Sequence, residues 1–327
     1  MYHGVTEAAG RRDWTQVDLS DFKEQMQYLK SHYQIYPLGE IIALLASGKI
    51  KPHAAAVTFD DGYRSNYALA YPVCRELQIP AAIFVTSGFI QQEGTIRGFL
   101  WPDFVSAVVK SAGDKEIDLT GIGLRHYDTS SPAAAAETRR SICDHLKSMG
   151  VKQRDQLLAG IDDLYGDKIR QEQFGDYHPM SRAELATLAT DPLITIGAHS
   201  RTHPILAGLN NDQLEEEMLG SKQELEATTG KGVDLFAYPN GRRQDITRQV
   251  VALAARHFRG AVTTEPGRNH PGQDPFLLRR IGIGGDCGFG LFQALISGAF
   301  DPARPRHLTL DDLAGEKPTP ESVRMTT

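Results

Sequence analysis

A chain of 327 residues, 41% hydrophobic and 23% charged, has the balance of a soluble globular protein and enough length for a large core. Its formal charge of −6 is spread along the chain, which argues against nucleic-acid or anionic-membrane binding, and no apolar run nears the roughly 20 residues that span a bilayer. Cys74, Cys143 and Cys287 are odd in number, far apart and without CxxC spacing, so they read as buried hydrophobes or free thiols rather than a disulfide framework.

The N-terminal MYHGVTEAAGRRDW has neither the basic flank nor the apolar stretch of a secretory signal. With the cysteines, this sets the expectation of a cytoplasmic protein, although a secreted form cut after a signal sequence would read the same. A short first strand ends at His3, and helices are expected over Ser20–Leu29 and Leu38–Ser47. The strand Ala54–Phe59 runs into Asp60 and Asp61, followed by a helix over Ser65–Leu77 and a strand over Ala81–Thr86. Residues 91–178 lack a strong core strand. Helices at Pro102–Ala112 and Ala133–Met149 and a short hairpin within Ile117–Tyr127 make this region a helical insertion, with Trp101 and Asp103 at the start of its first helix. The alternation then resumes: helix Arg182–Thr190, strand Leu193–Gly197, helix Asn211–Thr228, strand Leu235–Ala237, helix Asp245–His257, strands Gly260–Thr263 and Leu277–Ile281, and helix Gly288–Ser297. Several of these helices begin with Ser, Asp or Asn, as an N-cap requires. Short strands alternating with helices imply a mostly parallel sheet covered by helices, and over about 280 residues they suggest one barrel-like α/β domain, residues 1–300. The tail, 301–327, is rich in proline and charge and is expected to be poorly ordered.

Chemistry concentrates in two segments, TFDDGY (Thr58 to Tyr63) and GAHSRTHP (Gly197 to Pro204). Each follows an apolar strand, and ligands of parallel α/β folds gather at the C-terminal strand edge. Within a strand, neighbouring side chains face opposite ways, so only at its end can adjacent carboxylates serve one site. Alone, Asp-Asp-Gly would be an ordinary surface turn, and a pair of histidines four apart would be structural. Pro204 biases His203 away from the right-handed helical region, so a loop or short turn is expected there. Together, one carboxylate and two imidazoles make an open divalent-metal set, and the second carboxylate is free to take a proton: the equipment of metal-assisted hydrolysis.

The same two segments, with the N-terminal MYHGV, IFVTSGFI (Ile83–Ile90), FAYPNG (Phe236–Gly241) and LRRIGI (Leu278–Ile283), resemble the polysaccharide deacetylase family, carbohydrate esterase family 4. The resemblance spans most of residues 1–285 outside the insertion. It implies a distorted (β/α) barrel of about seven strands and metal-dependent removal of acetyl groups from an N-acetylated saccharide or polysaccharide. Asp61, His199 and His203 are then the metal ligands, with zinc expected ahead of cobalt, nickel or manganese. Asp60 becomes the general base, Ser200 a support for the loop or a neighbouring histidine, Asn240 the backbone donor to the oxyanion and Tyr238 a wall of the sugar pocket. Two positions depart from the family pattern. Ala237 stands where many members carry an arginine that orients the base, so Arg280, ahead of Arg279, is expected to approach Asp60. No histidine closely follows LRRIGI to act as general acid, which leaves His3, ahead of His270. Two other readings keep the barrel: hydrolysis of a cyclic amide at the same metal, or a non-catalytic carbohydrate-binding protein.

Overall fold

Short runs of β-branched, aromatic and small residues form a curled parallel sheet in the computed structural model, which describes residues 1–7, 14–112, 116–300 and 307–313. Five strands are hydrogen-bonded in the order Gly260–Val262, Leu235–Ala237, Ile194–Ala198, Ala81–Val85 and Val57–Phe59. All neighbours are parallel. Nearly every residue in these strands is buried, as expected of a parallel sheet packed on both faces. Single parallel bridges continue the arc at both edges, Tyr2 beside Phe59 and Leu278 beside Val262. The segment after Leu278 then reaches the opposite edge, where the Ile283 N–H donates to the Met1 carbonyl at 2.9 Å. Seven chain segments thus curl into the distorted barrel that the family resemblance implies.

The expected strand Ala54–Phe59 is divided. Ala54–Ala55 pairs with Gln34–Ile35 outside the main sheet, and only Val57–Phe59 joins the barrel. Strands Gly4–Thr6 and Gln16–Asp18 pair with each other, and at three residues each they are too short to show a sequence period.

The helices pack outside the sheet. Leu19–His32 starts at Asp18, whose side chain accepts from the Ser20 N–H, and Arg182–Thr190 starts with a Ser181–Glu184 capping box. Two helices were not expected, Ser87–Gln91 and Val151–Tyr165. The first is short, and the second contains Gly160 and a thin apolar stripe. The long helix expected over Asn211–Thr228 is interrupted by a π-turn at Glu216–Gly220, between Asn211–Glu215 and Ser221–Thr229.

The inserted residues build a core of their own, in which Phe99, Trp101, Phe104, Val108, Ile142 and Leu158 join Tyr63 and Phe89. Its hairpin is present as Glu116–Asp118 against His126–Asp128. Of the tail, 301–306 and 314–327 lie outside the described residues, while Leu308 is buried against the barrel.

Candidate metal centre

The two neighbouring aspartates are separated by backbone geometry. The Asp60 N–H is still bonded to the Tyr2 carbonyl at 3.0 Å, but Asp61 has φ 73° and Gly62 φ 91°. This left-handed turn is costly for Asp61 and natural for Gly62, and it sends the two carboxylates to different partners. Ser200 (φ 61°) and His203 (φ 58°) are left-handed as well, so the second segment is a tight loop and not a helical turn. The Ser200 hydroxyl accepts from the His203 N–H at 3.0 Å, which fixes the distance between the two imidazoles. Strain gathered at these positions is what a site held by its surroundings shows.

The Asp61 Oδ1 atom lies 3.4 Å from His199 Nε2 and 3.5 Å from His203 Nε2. The ligand atoms of the three residues lie within 4.8 Å of one another, the only such His/Cys/Asp/Glu group among the described residues. His199 Nδ1 faces the Ala237 carbonyl at 2.7 Å, so that nitrogen carries the proton and Nε2 presents its lone pair to the centre. Burial works to raise the Asp61 carboxyl, but the close approach of His199 and then of His203 holds it far below the ordinary value. For His199 burial works downward, yet Asp60 and Asp61 bring the net shift upward. Burial dominates at His203 and pulls it down to about 4, leaving a neutral imidazole. Asp61 Oδ1 is buried without a hydrogen-bond partner. An orphaned carboxylate oxygen facing two imidazole nitrogens is a donor set that a divalent cation satisfies.

Asp60, 1% exposed, turns to Arg280 instead. Arg280 Nη1 and Nη2 each donate to one carboxylate oxygen at 2.7 Å, while Nε donates to the Thr263 carbonyl at 2.8 Å. Burial tends to raise the Asp60 carboxyl, but Arg280 and then His199 bring it below its ordinary value, so it is ionised at neutral pH. Arg279 bonds the Pro266 carbonyl and does not share this contact. Ala237 contributes its carbonyl to His199, and Arg280 occupies the place beside Asp60.

Of the other expected residues, His3 and Asn240 line the same cleft as Asp60, Asp61, His199 and His203. The His3 carbonyl accepts from the Asn66 side chain at 2.6 Å, and burial lowers its imidazole against the opposing pull of Asp61 and Asp60. Asn240 is left-handed (φ 58°), its side chain donates to Asp245 and its carbonyl accepts from the Thr264 hydroxyl. Gly241 makes this loop possible: a Cβ there would lie 2.7 Å from the Tyr238 carbonyl oxygen. Tyr238 itself does not reach the cleft. It is fully buried, its ring lies 5.4 Å from that of Phe236, and its hydroxyl donates to the Phe276 carbonyl at 3.0 Å. Tyr238→Phe is therefore expected to cost about 1 kcal/mol of stability in denaturant unfolding, with KM unchanged. His270 lies outside the cleft, its ring stacked with that of His307.

Several residues of the site carried little or no sequence signal. Tyr63 donates to the buried Asp103 at 2.6 Å, and both line the cleft with Trp101 and Trp14. Arg201, inside the histidine loop, is paired with Glu93, Glu216 and Glu224, and Glu217 accepts from the N–H groups of Arg201 and Thr202. The π-turn at Glu216–Gly220 belongs to this support, as such turns often do at functional sites. Replacing Glu217 with Ala is expected to weaken metal affinity about 10- to 100-fold, measured by competition with a chelating dye.

The fold and this centre together define an α/β barrel with an open Asp-His-His site at the C-terminal edge of its strands. The sequence profile of the polysaccharide deacetylase family matches residues 47–159 and 164–257, more than half of the chain, and the protein belongs to that family. Membership makes it a hydrolase of the deacetylase type. A Bacillus subtilis protein provisionally named a polysaccharide deacetylase is 24% identical over 299 residues, covering 90% of this chain and 74% of that protein. The poly-beta-1,6-N-acetyl-D-glucosamine N-deacetylase of Staphylococcus aureus is 32% identical over 78 residues, which is 24% of this chain and only 27% of that enzyme. A Streptococcus pyogenes deacetylase, solved in complex with acetate, shares the fold with a TM-score of 0.57 at 17% identity, covering 90% of this chain and 95% of that one.

Proposed function

We propose that the protein hydrolyses the acetamide of an N-acetylated saccharide, releasing acetate and a free amine, with zinc held by Asp61, His199 and His203. The observation that carries this reading is the pairing of an Arg280-clamped Asp60 with the adjacent metal trio in one cleft. When bound, the metal supplies Lewis acidity toward the acetyl carbonyl and the attacking water. Asp60 accepts the proton of that water, and the Arg280 clamp keeps its carboxylate ionised and fixed in direction. The backbone N–H of Asn240 is assigned to the oxyanion, at the mouth of a loop that Gly241 and Asp245 hold in place. His3 is assigned as the donor of the proton that the amine needs as the C–N bond breaks. Its lowered pKa makes the protonated ring a stronger acid.

His203→Ala tests the assignment at its least buried ligand. The variant is expected to lose bound zinc and to release acetate at least about a thousandfold more slowly from N-acetylglucosamine oligomers, while unfolding as a cooperative unit. Zinc bound at full stoichiometry in that variant would remove His203 from the ligand set.

A further inference from the structure

Five large apolar side chains are exposed among the described residues, Trp14, Leu164, Leu291, Phe300 and Leu310, and of these Trp14 alone lines the metal cleft. Its backbone is pinned from two directions. The Gly4 N–H donates to the Thr15 carbonyl at 2.9 Å, at the head of the strand pair Gly4–Thr6 and Gln16–Asp18. Gly284 packs so closely that a Cβ there would lie 2.6 Å from the Trp14 carbonyl oxygen. The indole has neighbours as well. The Arg139 guanidinium lies over its ring, 5.0 Å from the centre, and the His3 imidazole lies 5.7 Å away, tilted by 56°. Both of these residues belong to the cleft lining. Trp14 nevertheless stays 40% exposed, whereas the second tryptophan of the chain, Trp101, is only 4% exposed and packs into the core of the insertion.

An aromatic side chain that is fixed in place yet exposed in a binding cleft offers flat apolar area whose burial costs little further ordering. The pyranose ring of an N-acetylated sugar matches such a surface. Its axial hydrogens on one side form an apolar face, while the hydroxyls point outward around the rim. Trp14 also stands at the end of the cleft where that ring belongs. His3 is assigned the proton that the departing amine takes, and that nitrogen stays on the sugar. The ring that carries it is therefore brought to the His3 side of the cleft, beside the indole. The cavity, about 840 Å³, leaves room for further rings of the same chain.

We propose that Trp14 is the platform on which the pyranose ring of the acetylated sugar stacks, setting affinity for the saccharide without taking part in the chemistry. This deepens the deacetylase reading and rests on it for which ring is bound. The kinetic test compares Trp14→Tyr, Trp14→Leu and Trp14→Ala on N-acetylglucosamine oligomers, at equal zinc content. The Tyr variant keeps a flat ring and is expected to stay within about threefold of the unaltered kcat/KM. The Leu and Ala variants lack one and should lose about tenfold or more, through KM with kcat kept. An unchanged KM in Trp14→Ala, an equal loss in the Tyr and Ala variants, or a fall in kcat alone would overturn the proposal. Binding is read separately by acrylamide quenching of tryptophan fluorescence in Asp60→Asn, so that the oligomer is not consumed. The quenchable part should be the part missing from Asp60→Asn/Trp14→Phe, and saturating oligomer should protect it. If the unaltered protein releases no acetate, the deacetylase reading fails and the quenching decides alone. Protection of the Trp14 signal by the oligomer then upholds the platform, and full quenching in its presence overturns it.

Discussion

Asp60→Asn is expected to bind zinc as tightly as the unaltered protein while its turnover falls by about 100- to 10,000-fold. Asparagine fills the same space and can still hydrogen-bond Arg280, but it cannot take a proton from water. The metal trio does not include Asp60, whose two carboxylate oxygens face Arg280 Nη1 and Nη2 at 2.7 Å. Acetate release and metal content measured on one sample separate the two effects. Loss of both in parallel would move Asp60 into the ligand set, and retention of full activity would remove it from proton transfer.

Arg280→Met is expected to be the most destabilising single change in the site. Asp60 is 1% exposed and Arg280 7%, so removing the guanidinium leaves a carboxylate buried without its counter-charge. Breaking such a pair costs about 3–5 kcal/mol, most of it for the stranded charge rather than for the lost contact. The double variant Asp60→Asn/Arg280→Met should recover part of that loss, because the charge is gone. Urea unfolding of the four proteins gives the coupling directly. Additive losses, with no recovery in the double variant, would show that Arg280 acts through packing against Phe84 and the Thr263 carbonyl instead of through Asp60.

The parts of this protein legible in its sequence are those with a local physical cause. Arg182–Thr190 lies where its capping residues put it, and the two site segments lie at the ends of buried strands because parallel sheets hold ligands there. Arg280 was reachable only by elimination. It meets Asp60 across 220 residues, and nothing in LRRIGI distinguishes it from Arg279 except strand alternation. That same alternation identifies Tyr238 as a core residue: two positions after the buried Phe236, it faces the same side of the sheet. In FAYPNG it is Pro239 and Asn240, beyond Tyr238, that reach the cleft. The left-handed turns at Asp61, Ser200 and His203 have no local signature, because surrounding contacts hold those residues there and not their own preference. The carboxylates around Arg201 come from positions 93, 216, 217 and 224, a set that only the folded chain assembles.

The central claim, that one metal held by Asp61, His199 and His203 operates the site, is tested most directly by reconstitution. Metal is stripped with a chelator, zinc is returned in measured fractions, and acetate release from an N-acetylated oligosaccharide is followed alongside bound zinc. Activity should be absent in the stripped protein and rise in proportion to zinc up to one ion per chain. Undiminished acetate release from the metal-free protein would contradict the account.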